Sequence, residues 1–524
     1  MTNKTPSQLI CRVLAWCMLV FVFGMAVYRA RTQTIAHDEA TTYMNFLDSG
    51  VSHVLSYHPA NHVLFTLLAK PFVWVLGVTE FTLRAPSLFG AAAYLAATYL
   101  LCIKLFGDGV LLPLSVALLS LNPQILDFLP AARGYCLGLA CLAAAMYIFV
   151  KLLDLGDFNP ADRNWRWGCA TASVLLALSV AASFTNIVPA ACLTFSFSVV
   201  ALGGFSAFKK FADHRLLALG QYLIFPGVAA GVGILWPFLI QARPAHLETT
   251  MGGARDALRN TFNASFLYKW TDDIHSSLGA IPPASGSWQE RISDLGVYFL
   301  LPLLFCFVAL GLFLASRGAA AGRTKQNARC RMYAGAAVAS VGFIFLLHVI
   351  VGINYPFSRY CLFFIPLFTI GALLTAQEIY ARFPRAYWKA VGLAIAAIVL
   401  FDYALSINTS YFRYNSYDVI SRDLFKAIAK DAEPRGLTNV RVGGTWWYEP
   451  EINFYRRRYK ADWLLSYDIK DRSYFWETPN SLVPADYDYF VYLPACDPGL
   501  TGSRVRTIFH DDKTQLTVIS LARR

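Results

Sequence analysis

Charge is scarce in this chain. Only 15% of its 524 residues are Asp, Glu, Lys or Arg, against 56% hydrophobic. With a mean hydropathy of +0.45, that scarcity excludes a soluble globular protein, whose surface needs many more polar groups. The 11 cysteines include no CxxC pair, and nearly all fall in apolar runs, with Cys496 alone in the polar tail. A disulfide framework and a zinc ribbon are therefore excluded, and the cysteines read as small packing hydrophobes. There is no HExxH, no internal repeat and no low-complexity segment. The first apolar run follows Lys4 and Arg12 and has no A-x-A cleavage site, so it reads as a retained span. The net charge of +12 does not point to nucleic acid, because many of the basic residues sit in short loops between apolar runs, where they orient a membrane protein.

What the chain has is apolar runs of about 20 residues, each long enough to cross a bilayer. They lie at 9–28, 83–106, 110–126, 133–153, 167–184, 187–205, 216–240, 295–316, 332–351, 360–380 and 390–406, about eleven spans in all. With the N-terminus inside, the inner loops carry Lys104; Lys151, Arg163 and Arg166; Lys209, Lys210 and Arg215; Arg317 to Arg331; and Arg382, Arg385 and Lys389. Short outer loops carry few basic residues, as the positive-inside rule expects. Residues 61–77 are apolar but short, with Lys70 and Pro71 near the middle. A mid-bilayer lysine costs roughly 2.5–3.5 kcal/mol, so this segment reads as an interfacial or re-entrant helix. The alternative, a true span, would turn the preceding loop to the cytoplasm.

The expected architecture is an α-helical multi-pass domain over 1–406, with outer interfacial helices at 37–82 and an outer loop at 241–294. A small extracytoplasmic α/β domain follows over 407–524. In that tail, SYDVISRDLFKAIAKDAE reads as an amphipathic helix, NVRVGGTWWYEPEINFYRRRY as strand, turn and short helix, and DYDYFVYLP and TQLTVISLA as strands.

Ionisable residues are concentrated in HDEATTYMNFLDSGVSHVLSYHPANH, residues 37–62. At helical spacing Asp38, Thr41, Thr42, Asn45 and Asp48 share one face, and Ala40, Tyr43, Met44, Leu47 and Val51 the other. This is the pattern of a helix lying in the membrane interface with its apolar side down. Asp38 and Glu39 either form an acidic first turn favourable to the helix dipole or supply a carboxylate that takes a proton from an attacking hydroxyl. A neighbouring acid would raise the carboxyl pKa and so favour a base. Asp38 and Asp127 are the candidates to hold a divalent cation. His58 and His62 flank HPANH, as headgroup or phosphate contacts or, less favoured, a metal pair. Arg133 in AARGY and Arg359 in FSRYC fall at the outer ends of distant spans and can clamp one phosphate between them. Trp447 and Glu449 in WWYE have the composition of a sugar or acceptor platform, although aromatics also occur in ordinary cores.

HDEATTY, HPANHVLFTLL, FTLRAPSLFGAAAYL, AARGYCLGLACLAAAMY and SRYCLFFIPL, in that order, resemble the GT-C-fold glycosyltransferases, in particular the protein O-mannosyltransferase and lipid A aminoarabinose transferase group. The resemblance covers residues 9–406. It implies a sugar donor on polyprenyl phosphate, an acceptor that is a lipid, glycan or protein, Asp38 as catalytic acid with Glu39 beside it, and Arg133 and Arg359 near the lipid phosphate. His58 falls where relatives carry a basic or His residue before proline, but this chain has PAN in place of a double proline. An outer-face transferase also needs a lipid-borne donor on physical grounds, because nucleotide sugars are not expected outside the membrane. The expected site is thus on the periplasmic or extracytoplasmic face of a plasma membrane. Rival readings are a polytopic transporter or lipid-linked-sugar flippase, which should show charges paired mid-span, broken helices and repeats, a glycan polymerase or ligase of another fold, and a non-catalytic assembly subunit.

Overall fold

A computed structural model of the chain describes residues 5–48, 50, 54–55, 58, 60–156, 158–203, 214–241, 254–266, 287–317, 325–356, 358–467, 487–494 and 505–521. Most of the loop expected at 241–294, together with Val51 and Cys496, lies outside the described residues.

Helices dominate. α1 (Pro6–Thr32) opens on Thr5 with proline at its first position, a place where the missing N–H costs nothing. It is followed by α2 (His37–Thr42), α3 (Val63–Leu76), α4 (Glu80–Phe106), α5 (Leu111–Ser120), α6 (Pro123–Phe128), α7 (Tyr135–Asp154), α8 (Arg163–Ala182), α9 (Ile187–Ala201), α10 (His214–Leu219) and α11 (Phe225–Gln241). Then come α12 (Ala254–Phe266), α13 (Trp288–Leu295), α14 (Leu301–Arg317), α15 (Lys325–Val351), α16 (Phe364–Arg382) and α17 (Ala386–Ser406). Ten helices among the described residues are long and apolar enough to cross a membrane, so the protein is a multi-pass membrane protein.

The expected span at 110–126 is not one helix. It breaks where Asn122, its side chain accepting from Gln124 N (3.0 Å), starts α6 with Pro123. The pieces nevertheless cover a full crossing. Arg12 near the start of α1 pairs with Asp108 (2.7 Å), and Arg29 near its end pairs with Asp127 (2.6 Å). The segment from 108 to 127 therefore runs alongside α1 through the same depth, giving about eleven crossings from ten long helices. α3, at 14 residues, reaches roughly 21 Å, short of a bilayer core. It ends in exposed Trp74, Val75 and Leu76, an apolar tip suited to dip into lipid, while Lys70 Nζ donates to Leu47 O (2.8 Å).

The tail holds α18 (Ser421–Ala432) and α19 (Glu449–Tyr459) with β1 (Val442–Gly444), β2 (Tyr489–Tyr492), β3 (Val505–His510) and β4 (Thr517–Leu521). The sheet order is β1-β2-β4-β3, with β1 parallel to β2 and the other pairs antiparallel. β3 escaped the sequence reading, since VRTIFH alternates only weakly. The tail shares a hydrophobic core with the end of the membrane part that carries α2. Ile35, Ala40, Tyr43, Phe65 and Leu83 pack in one cluster with Tyr417, Leu424, Tyr455, Tyr489 and Val518. That shared core corrects the interfacial picture of residues 37–48. After α2 the backbone widens into a π-turn, Tyr43–Leu47, closed by Asp48 N donating to Tyr43 O (2.8 Å). Its apolar face is covered by protein rather than lipid, with Tyr43 set edge-on against Phe454 (5.4 Å between ring centroids).

Candidate active site

Glu39 sets the frame. A helix turns about 100° per residue, so adjacent acids point apart, and Glu39 turns inward from Asp38. Its Oε1 accepts from Arg84 Nε (2.9 Å) and Ala132 N (2.6 Å), and its Oε2 accepts from Arg84 Nη2 (2.5 Å) and Ala36 N (2.9 Å). Arg84 is fully buried and also donates to the carbonyls of Ala30 (3.2 Å), Gln33 (2.9 Å) and Thr34 (2.6 Å). Expected beside Asp38 at the site, Glu39 does border the same cavity, while its carboxylate forms a buried tie between α2, α4 and the 129–134 loop.

Asp38 faces the other way, its side chain 21% exposed. Its Oδ2 accepts from Arg359 Nη1. Arg133 Nη1 donates to Asp38 O (3.1 Å) and Thr42 Oγ1 (3.0 Å). The fold thus brings Asp38, Arg133 and Arg359 together from three distant parts of the chain. Arg359 sits in a short turn, Ser358–Cys361. Ser358 has φ of 45°, a left-handed conformation uncommon for a residue with a side chain. Burial pushes the Asp38 carboxyl up, but Arg359, Arg133 and His37 outweigh it and hold its pKa at about 2. The neighbouring acid does not raise it, because Glu39 is neutralised by Arg84.

Asp127 lines the same small cavity as Asp38, Arg133, Phe128 and Phe412. Its carboxylate is engaged by Arg29 Nη2 (2.6 Å) and Arg413 N (2.9 Å), and Arg29 and Arg84 both stack on the Phe412 ring (5.1 and 5.2 Å to its centroid). Among the described residues no three His, Cys, Asp or Glu side chains gather to hold a metal ion. With Asp38 and Asp127 both on guanidinium groups, the donor set does not fit the divalent cation considered from the sequence.

His58 is exposed, accepts from Ala60 N (3.1 Å) and packs on Phe46 (5.6 Å). His62 is buried, with Nδ1 2.7 Å from Ala182 O. A carbonyl only accepts, so Nδ1 carries the proton and Nε2 presents a lone pair. Burial and Arg133 push the His62 pKa well below its ordinary value. With Nε2 as an acceptor, His62 meets a phosphate oxygen only when the ring takes up a second proton.

Trp447 stacks on Trp446 (4.4 Å), and its carbonyl O accepts from His37 Nδ1 (2.8 Å). Glu449 opens α19, whereas Glu451, two residues on, lies fully buried 3.2 Å from His37 Nδ1. Asp418 Oδ2 accepts from His37 N (2.5 Å). Burial and Glu451 push the Asp418 pKa well up. Burial alone would lower that of His37, but Glu451 and Asp38 raise it. Sequence reasoning missed Arg84, Tyr135, Asp418 and Glu451. Of these only Arg84 left a signal, as a charge inside an apolar helix.

No family model and no curated protein matches the chain. Solved structures do. The crystal structure of ArnT from Cupriavidus metallidurans bound to undecaprenyl phosphate aligns over 97% of this chain and 97% of its own, at a TM-score of 0.51 and 14% identity. The archaeal oligosaccharyltransferase AglB from Archaeoglobus fulgidus, in complex with an inhibitory peptide and a dolichol-phosphate, covers 91% of this chain with 69% of its own, at a TM-score of 0.44 and 12% identity. The chain has the GT-C fold.

Proposed function

We propose that the protein is a membrane glycosyltransferase that moves a sugar from a polyprenyl-phosphate donor to a hydroxyl of a lipid, glycan or protein acceptor on the extracytoplasmic face of a plasma membrane. The observation that carries this reading is the meeting of Asp38 with Arg359 and Arg133. A carboxylate beside two guanidinium groups suits a reaction that removes a proton at one point and builds phosphate charge at another. The ArnT likeness, a structure holding undecaprenyl phosphate, supports the donor class. The placement of the ion pairs speaks against a transport path, because they cluster at two levels. Arg12–Asp108 and Lys104–Asp154–Arg329 lie at one end, and the Asp38, Glu39 and Asp127 pairs at the other.

At rest Arg359 is engaged by Asp38. The donor's phosphate competes for that guanidinium and for Arg133, freeing the carboxylate. Burial, no longer opposed, then raises its affinity for a proton. The acceptor oxygen forms a bond to the anomeric carbon, and its proton passes to Asp38. The bond from the anomeric carbon to the phosphate oxygen breaks, and polyprenyl phosphate leaves against the arginines with inversion at carbon. On the same reading Trp447, whose carbonyl meets His37 of α2, and Glu449 form the acceptor platform. Asp38→Asn in reconstituted membranes, assayed with polyprenyl-phosphate sugars, is expected to lose transfer by about 100-fold or more, a general base contributing roughly 10²–10⁴-fold, with membrane insertion unchanged. An Asn variant as active as the parent removes the mechanism.

A further inference from the structure

Among the described residues, His62 Nε2 and the Tyr135 hydroxyl, buried beside the arginines, find no hydrogen-bond partner, His62 being 7% exposed and Tyr135 2%. A buried polar group left unsatisfied forfeits its hydration without replacement, and such exceptions in a well-packed region ask for a reason. These two lie together, their rings edge to face at 4.7 Å. Tyr135 also packs on Phe128 (4.8 Å) and lies under the Arg133 guanidinium (6.0 Å). Phe128 and Arg133 in turn line the Asp38 cavity. Arg133, Arg359 and Asp38 all act electrostatically on both groups.

The surroundings hold the pair in place. Asn61 Nδ2 donates to Val54 O (2.9 Å), and Thr66 Oγ1 donates to Asn61 Oδ1 (3.0 Å), fixing the turn that carries His62. Ala182 O fixes the proton on Nδ1, and burial beside Arg133 disfavours a second proton, so the free nitrogen accepts. The close approach of α7 to the end of α8 depends on Gly134, where a Cβ would sit 1.8 Å from Ala182 O. The phenol hydroxyl can donate. One acceptor and one donor, both uncharged, complement a single hydroxyl group, which donates to one and accepts from the other. A phosphate, which accepts only, satisfies Tyr135 and is repelled by Nε2. An ammonium finds Nε2 but meets Arg133 and Arg359.

We propose that His62 Nε2 and the Tyr135 hydroxyl form a neutral subsite for one hydroxyl of the transferred sugar, so that the donor carries an uncharged hydroxyl, rather than an amino group, at that ring position. This rests on the proposed glycosyltransferase reading and adds to it a pair that recognises the sugar apart from its carrier.

The test compares binding of bare undecaprenyl phosphate with that of undecaprenyl phosphate carrying neutral hexoses, neutral pentoses or an amino sugar, using the full chain in lipid nanodiscs. Tyr135→Phe removes one oxygen and keeps the ring. His62→Asn keeps a donor for Ala182 O and removes the Nε2 acceptor. Both are expected to bind bare undecaprenyl phosphate as the parent does and to lose about 10-fold in affinity for the preferred neutral donor, with kcat/KM falling alongside. The parent is expected to prefer that neutral donor over the amino-sugar one. If both variants keep the parent's discrimination between loaded and bare carrier, the two groups satisfy only each other or a buried water, and the subsite is overturned while transfer by the parent still stands. A parent that binds no neutral donor better than the bare carrier also overturns it. Failure of the parent to transfer from every donor tested counts against the glycosyltransferase reading itself, a separate result.

Discussion

Arg84 faces no cavity, yet the direction of Asp38 depends on it. By holding both oxygens of Glu39 and three carbonyls at the end of α1, it fixes the rotation of α2 about its axis. Breaking a buried ion pair by removing one partner costs roughly 3–5 kcal/mol, because a charge is left without compensation. Arg84→Met is therefore expected to destabilise the protein by about that amount, seen as a lowered melting temperature in detergent, whereas Arg84→Met with Glu39→Gln recovers part of the loss. An Arg84→Met protein that melts with the parent shows that the pair is not structural. The same residues mark where the sequence could be read. Asp38, Arg133 and Arg359 were legible because each is an ion in oily surroundings, expensive there without a purpose. The tie that Glu39 makes to Arg84 was not legible, because adjacency in sequence does not say which way each side chain turns on a helix. Glu451 and Asp418 were invisible because the tail is rich in charge, and only the fold selects which acids are buried.

At the scale of elements, α2 is clasped by the tail through His37. The ring and backbone N of His37 meet Trp447 O, Glu451 and Asp418. His37 has its folded pKa above 6.5, so its contribution is complete below that value and is lost as pH rises through the folded one. Asp418, with its folded pKa above 3.8, works in the same direction, since its protonated form is favoured in the fold. The contact between α2 and the tail is thus expected to tighten in mild acid and to loosen as pH climbs past about 6.5. Hydrogen exchange of residues 37–47 and 413–420 at pH 6 and pH 9, corrected for intrinsic rates, measures this. Asp418→Asn should flatten the difference, and equal protection at both values in the parent would count against it. The helical spans and most of the tail elements were readable from apolar run length and period. The π-turn at Tyr43–Leu47 was not, because it answers to Phe454 and the tail core, contacts made from more than 400 positions away.

Among the described residues the ion pairs of the membrane part lie toward its two ends with apolar packing between them, and the proposed orientation, in which the basic loops stay inside, puts the Asp38 end on the extracytoplasmic side. Asn45 is exposed at that end. Asn45→Cys is expected to react with a membrane-impermeant maleimide in intact cells well above the parent's background. Labelling only after permeabilisation would reverse the orientation. The chain order of the site has a further consequence for biogenesis. Asp38 emerges from the ribosome early, while Arg359, Asp418, Trp447 and Glu451 are made hundreds of residues later. Until Arg359 and then the tail have been made, the carboxylate lacks that guanidinium and the cover the tail provides. On the proposed function a half-made chain sitting among lipid carriers is therefore expected to be inert, and completion of synthesis is itself the step that arms the protein.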